Sequence, residues 1–426
     1  MIIFSNHIVL NDSCFYTIHI MKESTKQRLK KIFSFMGPGF LITVGFIDPG
    51  NWATNIEGGS SFGYSLLWVV TLSTIMLMVI QHVAAKMGIA TGKSLAVNIR
   101  EHLPKPLSLM VGITVVLACV ATDVAELLGG AIGFNLLFKM PLWLGAVVTI
   151  ILEIFLIIGQ RYHKLEKTII GFLGIIALCY VAELVIVKPD WGQALPALVI
   201  PSLNKDSIYI SLGIIGAVVM PHNIFLHSNV IHSRNWGITD KEKIDLLKFE
   251  RIDTTTSLTL GLIVNAAMII VAAKVFHSNG LVVTSITDAA QTLVPLAGKA
   301  AGLLFAIALV FAGVGSSVTS SMAEVNVITG FLGKPEDPKT LLYRVATFIT
   351  AIPSLVIILM NMDTYKILIF SQVILSIQLP FTLIPLLYLA RKKSVMGVFR
   401  SSNSEFIALI VISAIIIGLN SFLLFA

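Results

Sequence analysis

Eleven stretches of about twenty mostly apolar residues recur along the 426-residue chain, and nothing else in the sequence restricts its fold as strongly. They fall at 38–64, 66–89, 107–137, 141–159, 168–187, 207–233, 252–275, 299–332, 340–360, 364–390 and 404–425. As a helix, a run of this length matches the hydrocarbon thickness of a bilayer. No water reaches peptide groups there, so a spanning chain closes its hydrogen bonds within helices or within a closed barrel. The runs lack the strict alternation and turn spacing of barrel strands. An all-α membrane protein is therefore expected. Composition points the same way, with 56% hydrophobic and only 12% charged residues, against roughly 25% charged in soluble domains. Those values argue against a soluble enzyme, a nucleic-acid binder and a disordered scaffold. The stretch 278–298 is too polar to span and is expected to form a short surface helix and loop.

The net charge of +7 is a matter of topology rather than of nucleic acid, because basic residues gather in alternate connecting segments. With the N-terminus in the cytoplasm, the inside segments hold 24 of the 30 Lys and Arg residues. The outside segments hold only Lys139, Lys188, Lys205, Lys274, Lys299 and Lys366. After eleven crossings the C-terminus is expected outside. Residues 1–20 lack the basic start and small-residue cleavage site of a signal peptide. A start at Met21 is expected to suffice, with 1–37 as a cytoplasmic lead-in. Cys14, Cys119 and Cys179 form no paired framework, and two of them lie in apolar runs, so buried thiols are expected.

Two runs contain what a membrane helix ordinarily avoids. The first reads GFLITVGFIDPGNWATNIEGG, with Asp48-Pro49-Gly50-Asn51 at its middle, and the sixth reads SLGIIGAVVMPHNIFLHSNV, with Met220-Pro221-His222-Asn223. A proline cannot donate to the carbonyl four residues earlier. Pro49 thus frees the carbonyl of Gly45, and Pro221 that of Ala217. Loose backbone at membrane depth persists only where protein or a wet cavity satisfies it. The breaks fall in the first span of each of two sets of five, the sequence pointer to an inverted-repeat transporter with a midplane site. The repeats are expected at 38–206 and 207–390, with an eleventh span in 391–426. Proline kinks alone would not explain Asp48, since an ionisable group at that depth costs roughly 3 kcal/mol unless it is used or paired. Asp48 offers a carboxylate, Asn51 an amide oxygen, Ala217 a carbonyl and Met220 a thioether. Oxygens alone would suit Mg²⁺ or Ca²⁺; the sulfur tilts the set towards softer divalent ions.

With these residues in view, DPGN in the first span and MPHN in the sixth resemble the paired signatures of the NRAMP family of divalent metal transporters, which includes the bacterial MntH proteins. The likeness runs from about residue 36 over most of the chain, and ATDVAELLGG, QRYHKLE and LSIQLPFTLIPL support it. The resemblance implies a LeuT-like fold of five plus five inverted spans with an eleventh, carrying Mn²⁺ and Fe²⁺ with protons by alternating access. It implies Asp48, Asn51, the Ala217 carbonyl, Met220 and Gln378 as metal ligands, with Gln372 as the alternative glutamine. It further assigns Asp123, Glu126, His222 and Arg234 to proton movement.

The residues themselves fit that second group. Asp123 and Glu126 share one helix face inside an apolar span, where two adjacent acids do not both ionise easily. A carboxyl chain leading towards Arg234 would make a relay; pairing with a neighbouring helix is the plainer alternative. His222 is either part of that relay or a polar group bonding the break. His222, His227 and His232 are five residues apart, about 140° around a helix, and do not converge on one metal. Glu153 and Glu183 need partners that the sequence does not name, and Asn265 is expected to steady the broken helices. The eighth span, FAGVGSSVTSSMAEVNVITGFLG, lacks the glutamines of the family pattern GQSSTxTGTxAGQ and adds Glu324, and Glu57 is a second departure. No HExxH or P-loop is present, and no enzyme activity is expected.

The transported cargo is thus expected to be a divalent metal with protons, no cofactor is called for, and the chain is expected to act as a monomer in the plasma membrane. The alternative with the same architecture is a Na⁺- or H⁺-coupled symporter of a small organic solute. In that class a helix N-terminus faces a substrate carboxylate, and Asp48 with Met220 is an odd lining for it. A channel would need rings of carbonyls or charges, which the sequence does not display.

Overall fold

The structure is a computed structural model that describes residues 25–425 apart from Thr284 and Asn361. The expected start at Met21 and the thiol Cys14 lie outside the described residues. Every regular element among the described residues is helical. In chain order they are α1 (Thr25–Phe35), α2 (Pro38–Phe46), α3 (Pro49–Phe62), α4 (Leu67–Thr91), α5 (Leu95–His102) and α6 (Lys105–Phe138). There follow α7 (Leu142–Gly159), α8 (Tyr162–Val187), α9 (Trp191–Ala197), α10 (Ile208–Val218), α11 (Pro221–Val230) and α12 (Asp240–Val275). The last are α13 (Ile286–Ala297), α14 (Lys299–Leu332), α15 (Leu341–Phe348), α16 (Ala351–Leu359), α17 (Thr364–Arg391) and α18 (Asn403–Phe425).

Ten helical runs among the described residues are long and apolar enough to cross a bilayer. The expected eleven map onto them once the first is recognised as two pieces. Its first half is α2, nine residues long and too short to span alone. Its second half, α3, continues into α4 as one run of 43 residues, Pro49–Thr91. The direction changes at Gly63, whose φ of +61° and ψ of −133° suit a residue without a Cβ. The ninth span is also in two pieces, α15 and α16. The polar stretch at 278–298 forms α13, packed on α14 through Ile286, Ala289, Ala290 and Leu293.

The helices arrange in an inner and an outer set. The run Ile208–Ser233, which contains the second break, has 89% of its most apolar window buried, against 28% for α7 and for α18. A helix apolar on all sides and buried by protein is a core helix. Phe155 and Leu178, on the outer helices α7 and α8, are 64% and 71% exposed, as suits a surface against lipid tails. Trp52 of α3 links the two sets, its ring edge-on to Tyr180 of α8 at 5.2 Å and to Phe305 of α14 at 5.1 Å. Cys119 and Cys179 are free and buried, as expected.

Candidate ion site at the helix breaks

At the first break Asp48 is the N-cap of α3. Its carboxylate accepts from the backbone N–H of Asn51 at 2.8 Å and of Gly50 at 3.2 Å. Pro49 follows at the first helical position, where its missing N–H costs nothing. The positive end of a helix favours a carboxylate there. Asn51 lies one turn in and closes the break from within, donating from Nδ2 to the Phe46 carbonyl at 2.5 Å and to Asn265 Oδ1 at 2.9 Å. Asn55 Nδ2 donates to Asn51 Oδ1 at 3.0 Å and to Asn265 Oδ1 at 3.1 Å. Asn265 thus steadies the break as expected. The Asn51 oxygen is engaged by Asn55 in this arrangement.

The second break has the same design. Met220 takes extended backbone angles (φ −66°, ψ 123°) ahead of Pro221, so α10 ends at Val218 and α11 begins at Pro221. Asn223 Nδ2 donates to Met220 Sδ at 3.5 Å. The two breaks face one another through Asn223 and Gln372. A methyl group on Gly45 would lie 2.6 Å from Asn223 Nδ2, so this side chain rests on the first break. A methyl on Gly50 would lie 1.7 Å from Gln372 Nε2, and one on Gly216, beside Ala217, would lie 2.1 Å from the Gln372 carbonyl. Gln372 Nε2 also donates to Asp48 Oδ2 at 3.2 Å. Asp48, Asn51, Ala217, Met220 and Gln372 are all fully buried. No solvent reaches these five residues in this arrangement.

One expected ligand, Gln378, lies away from the breaks in this arrangement. Gln378 stands six residues beyond Gln372 on α17, about 9 Å along the axis and on another face. Its Nε2 donates to Thr114 Oγ1 of α6 at 3.3 Å and its Oε1 accepts from Thr382 at 2.9 Å. Gln372 is the glutamine at the breaks. Asn223 is the residue that the sequence reading passed over, although it is the last letter of MPHN. Asn223 Oδ1 and Gln372 Oε1 are buried acceptors to which no described residue donates, as are Asn55 Oδ1 beside the break and several amide oxygens elsewhere. Buried polar atoms are nearly always paired, and two bare oxygens beside a carboxylate and a thioether form a donor set for a cation. Among the described residues no three His, Cys, Asp or Glu side chains converge as a metal site. A dication would therefore meet one carboxylate and neutral donors.

The acids form a second group, on α6, α7 and α14. Ser320 donates to Asp123 at 2.9 Å, and Thr350 to Glu324 at 2.5 Å. Ser317 and Ser321 both donate to Glu153, so the partners missing from the sequence are hydroxyls on α14. Among the described residues, both oxygens of Glu183 and both ring nitrogens of His222 are buried without a hydrogen-bond partner, and the buried Glu126 carboxyl lies near Ser320. Gly129, less than one turn from Glu126, lets α6 meet the first break directly: a methyl there would lie 2.0 Å from Pro49 Cβ. His227 bonds Gln81 at 3.1 Å and His232 the Gly88 carbonyl at 3.0 Å, so these histidines diverge as expected.

Among the described residues Arg234 makes no ion pair with those acids. Its Nη2 donates to Glu166 Oε1 at 2.8 Å and to the Met36 carbonyl at 2.7 Å. Beside it, Asp253 of α12 accepts from the N–H groups of Gly37 at 2.9 Å and Gly39 at 2.7 Å. Together these groups tie down the start of α2.

A model of the family described as natural resistance-associated macrophage protein-like (Nramp) matches residues 39–426. The chain belongs to the Nramp family. It is 39% identical to the divalent metal cation transporter MntH of Brucella suis, over 95% of this chain and 90% of the relative. It is 41% identical to the protein of the same name from Listeria innocua, over 93% and 90%. In three dimensions it is similar to the Eremococcus coleocola manganese transporter, with a TM-score of 0.83, 31% identity and coverage of 94% of this chain and 87% of the other. MHP1, a nucleobase-cation-symport-1 transporter, matches with a TM-score of 0.60 at 14% identity over 91% and 92% of the two chains, which is a likeness of fold alone. This Nramp chain is accordingly an all-α, multi-pass membrane protein of LeuT-like fold, and its relatives are transporters rather than enzymes.

Proposed function

We infer that this chain is a secondary transporter that imports divalent transition-metal ions, Mn²⁺ and Fe²⁺, with protons by alternating access. The observation that carries this reading is the pair of unpaired buried oxygens, Asn223 Oδ1 and Gln372 Oε1, at two facing breaks that also hold Asp48 and Met220. The names of the relatives support it. In this reading the dication exchanges part of its water shell for the Asp48 carboxylate, the amide oxygens of Asn51, Asn223 and Gln372, the Ala217 carbonyl and the Met220 sulfur. Asn51 reaches it by giving up its bond to Asn55. One carboxylate with neutral donors strips the ion only in part, which suits a carrier that must release its cargo. The thioether favours ions softer than Ca²⁺ and Mg²⁺. Asp123, Glu126 and His222 lie on the proton's side of the cycle, with Arg234 acting on the inner closure rather than as the end of a proton wire.

The same reading sets the repeats at 38–206 and 207–390 with the eleventh span in 391–426. It places a monomer in the plasma membrane, N-terminus inside and C-terminus outside. The test is uptake into proteoliposomes that contain a pH-sensitive dye. Saturable Mn²⁺ entry with acidification, abolished by Asp48→Ala, is the expected result. Entry of an organic solute with no effect of Mn²⁺ would overturn it in favour of the symporter alternative.

A further inference from the structure

The end of α6 that begins at Lys105 is flanked by two grooves. One, of about 600 Å³, runs between α6 and α14 and is lined by Arg100, Lys105, Leu109, Ile113 and Phe331 among others. The other, of about 400 Å³, lies between α6 and α17 beside Leu107, Phe381 and Tyr388. The walls are apolar and face outwards. Leu109, Ile113 and Leu117 succeed one another at i, i+4 and i+8 and are 64%, 52% and 59% exposed. Phe331 forms the floor of the larger groove, its ring close to Gly112, where an added methyl would lie 3.1 Å from it.

Charge sits at one end only. Lys105 is exposed and unpaired among the described residues. Arg100 lies over Gly333 at the end of α14, where an added methyl would be 2.5 Å from Nη1. The acid beside it, Glu101, is held by Lys93 at 2.6 Å and stands 3.6 Å from Arg100 Nη2. The Lys93 ammonium hydrogen-bonded to Glu101 holds its carboxyl below the usual range. From Lys105 to Leu117 is about 18 Å along the helix, close to the depth of one leaflet, about 15 Å.

We propose that this is a binding site for one anionic phospholipid. Its phosphate lies between Arg100 and Lys105, one acyl chain follows Leu109, Ile113 and Phe331, and the other enters the groove beside Leu107 and Phe381. Basic residues at headgroup level above an apolar groove recognise an anionic lipid by charge and its chains by burial. A soluble partner has no access to a stripe at this depth. In the proposed orientation, on which this placement rests, the site lies in the inner leaflet; the chemistry of the groove is independent of it. A lipid seated there would bridge α5, α6 and α14.

The experiment is native mass spectrometry of the full chain in detergent, titrated separately with dioleoylphosphatidylglycerol and dioleoylphosphatidylcholine. The expected result is one phosphatidylglycerol retained per chain at a concentration at least tenfold below that needed for phosphatidylcholine. The Arg100→Gln/Lys105→Gln variant is expected to lose that difference, and Lys188→Gln to keep it. If the double variant has a lowered thermal midpoint, Lys105→Gln alone, at an exposed position, replaces it and is expected to narrow the difference at least threefold. Equal retention of the two lipids by the unaltered chain, or an unchanged difference in the charge variants, would overturn the proposal.

Discussion

Gln372 of α17 donates to the carboxylate of Asp48 at 3.2 Å, across 324 residues of sequence, and no described residue donates to its own oxygen. An amide in this position can release Asp48 and turn its oxygen to an ion by one side-chain rotation. Gln372→Ala is therefore expected to raise the Mn²⁺ concentration for half-maximal uptake about tenfold, which corresponds to about 1.4 kcal/mol. Gln378→Ala should change it less than about twofold. Initial rates in proteoliposomes decide between them, and the reverse order would return the assignment to Gln378.

Among the described residues, the sulfur of Met220 is engaged only by the weak 3.5 Å contact from Asn223. Loss of a soft donor affects hard and soft cations unequally. In Met220→Ala, Ca²⁺ and Mg²⁺ are expected to compete with Mn²⁺ at concentrations at least tenfold lower than in the unaltered chain. Unchanged competition would count against a thioether ligand.

Arg234 ties the start of α2 to α8 by two charge-assisted bonds, to the Met36 carbonyl and to Glu166. Each such bond is worth roughly 1.5–3 kcal/mol, enough to shift a closed-to-open balance tenfold or more. In Arg234→Ala, a cysteine placed at the buried Thr43 should react with a membrane-impermeant reagent at least tenfold faster from the cytoplasmic side. Equal rates would remove Arg234 from the inner closure.

Gly129 has no room for a side chain, since an added methyl would sit 2.0 Å from both Pro49 Cβ and Cγ. Overpacking of this kind costs about 1–3 kcal/mol. Gly129→Ala should lower the thermal midpoint in detergent and slow uptake together. Gly174→Ala, which meets nothing within 4 Å, should leave the midpoint unchanged or raise it.

Asp123 accepts from Ser320 at 2.9 Å, a bond that an amide oxygen can also accept. Asp123→Asn keeps that contact and removes the ionisable group. The expected outcome is less acidification per Mn²⁺ taken up, with metal entry retained. An unchanged ratio of protons to metal would take Asp123 out of the proton route.

Much of this was legible along the chain because lipid leaves the backbone few choices. The span limits follow from length and hydropathy, and the breaks from Pro49 and Pro221. Local chemistry also explains where a boundary moved: Thr239 and Glu242 form a reciprocal cap that starts α12 at Asp240, well before the apolar run at 252. Which face of a helix meets a break in another helix is a different matter. Gln372 and Gln378 lie on one span with the same side chain, and only the packing of α17 on Gly216 separates them. Likewise Glu153 finds Ser317 and Ser321 across 164 and 168 residues, a pairing with no local trace. Arg234 carried a motif-like position yet served Glu166, because the turn after α11 points it at the start of α2.

The shortness of α2 has a mechanical consequence. Nine residues make a rod of about 13 Å, joined at one end to the break and fastened at the other by Asp253 and Arg234. A tilt of about 20° about the break would sweep the fastened end through roughly 5 Å, a gap of the order of two water molecules. Such a lever needs no bending of its own helix, and its catch is a few hydrogen bonds that can be broken one at a time.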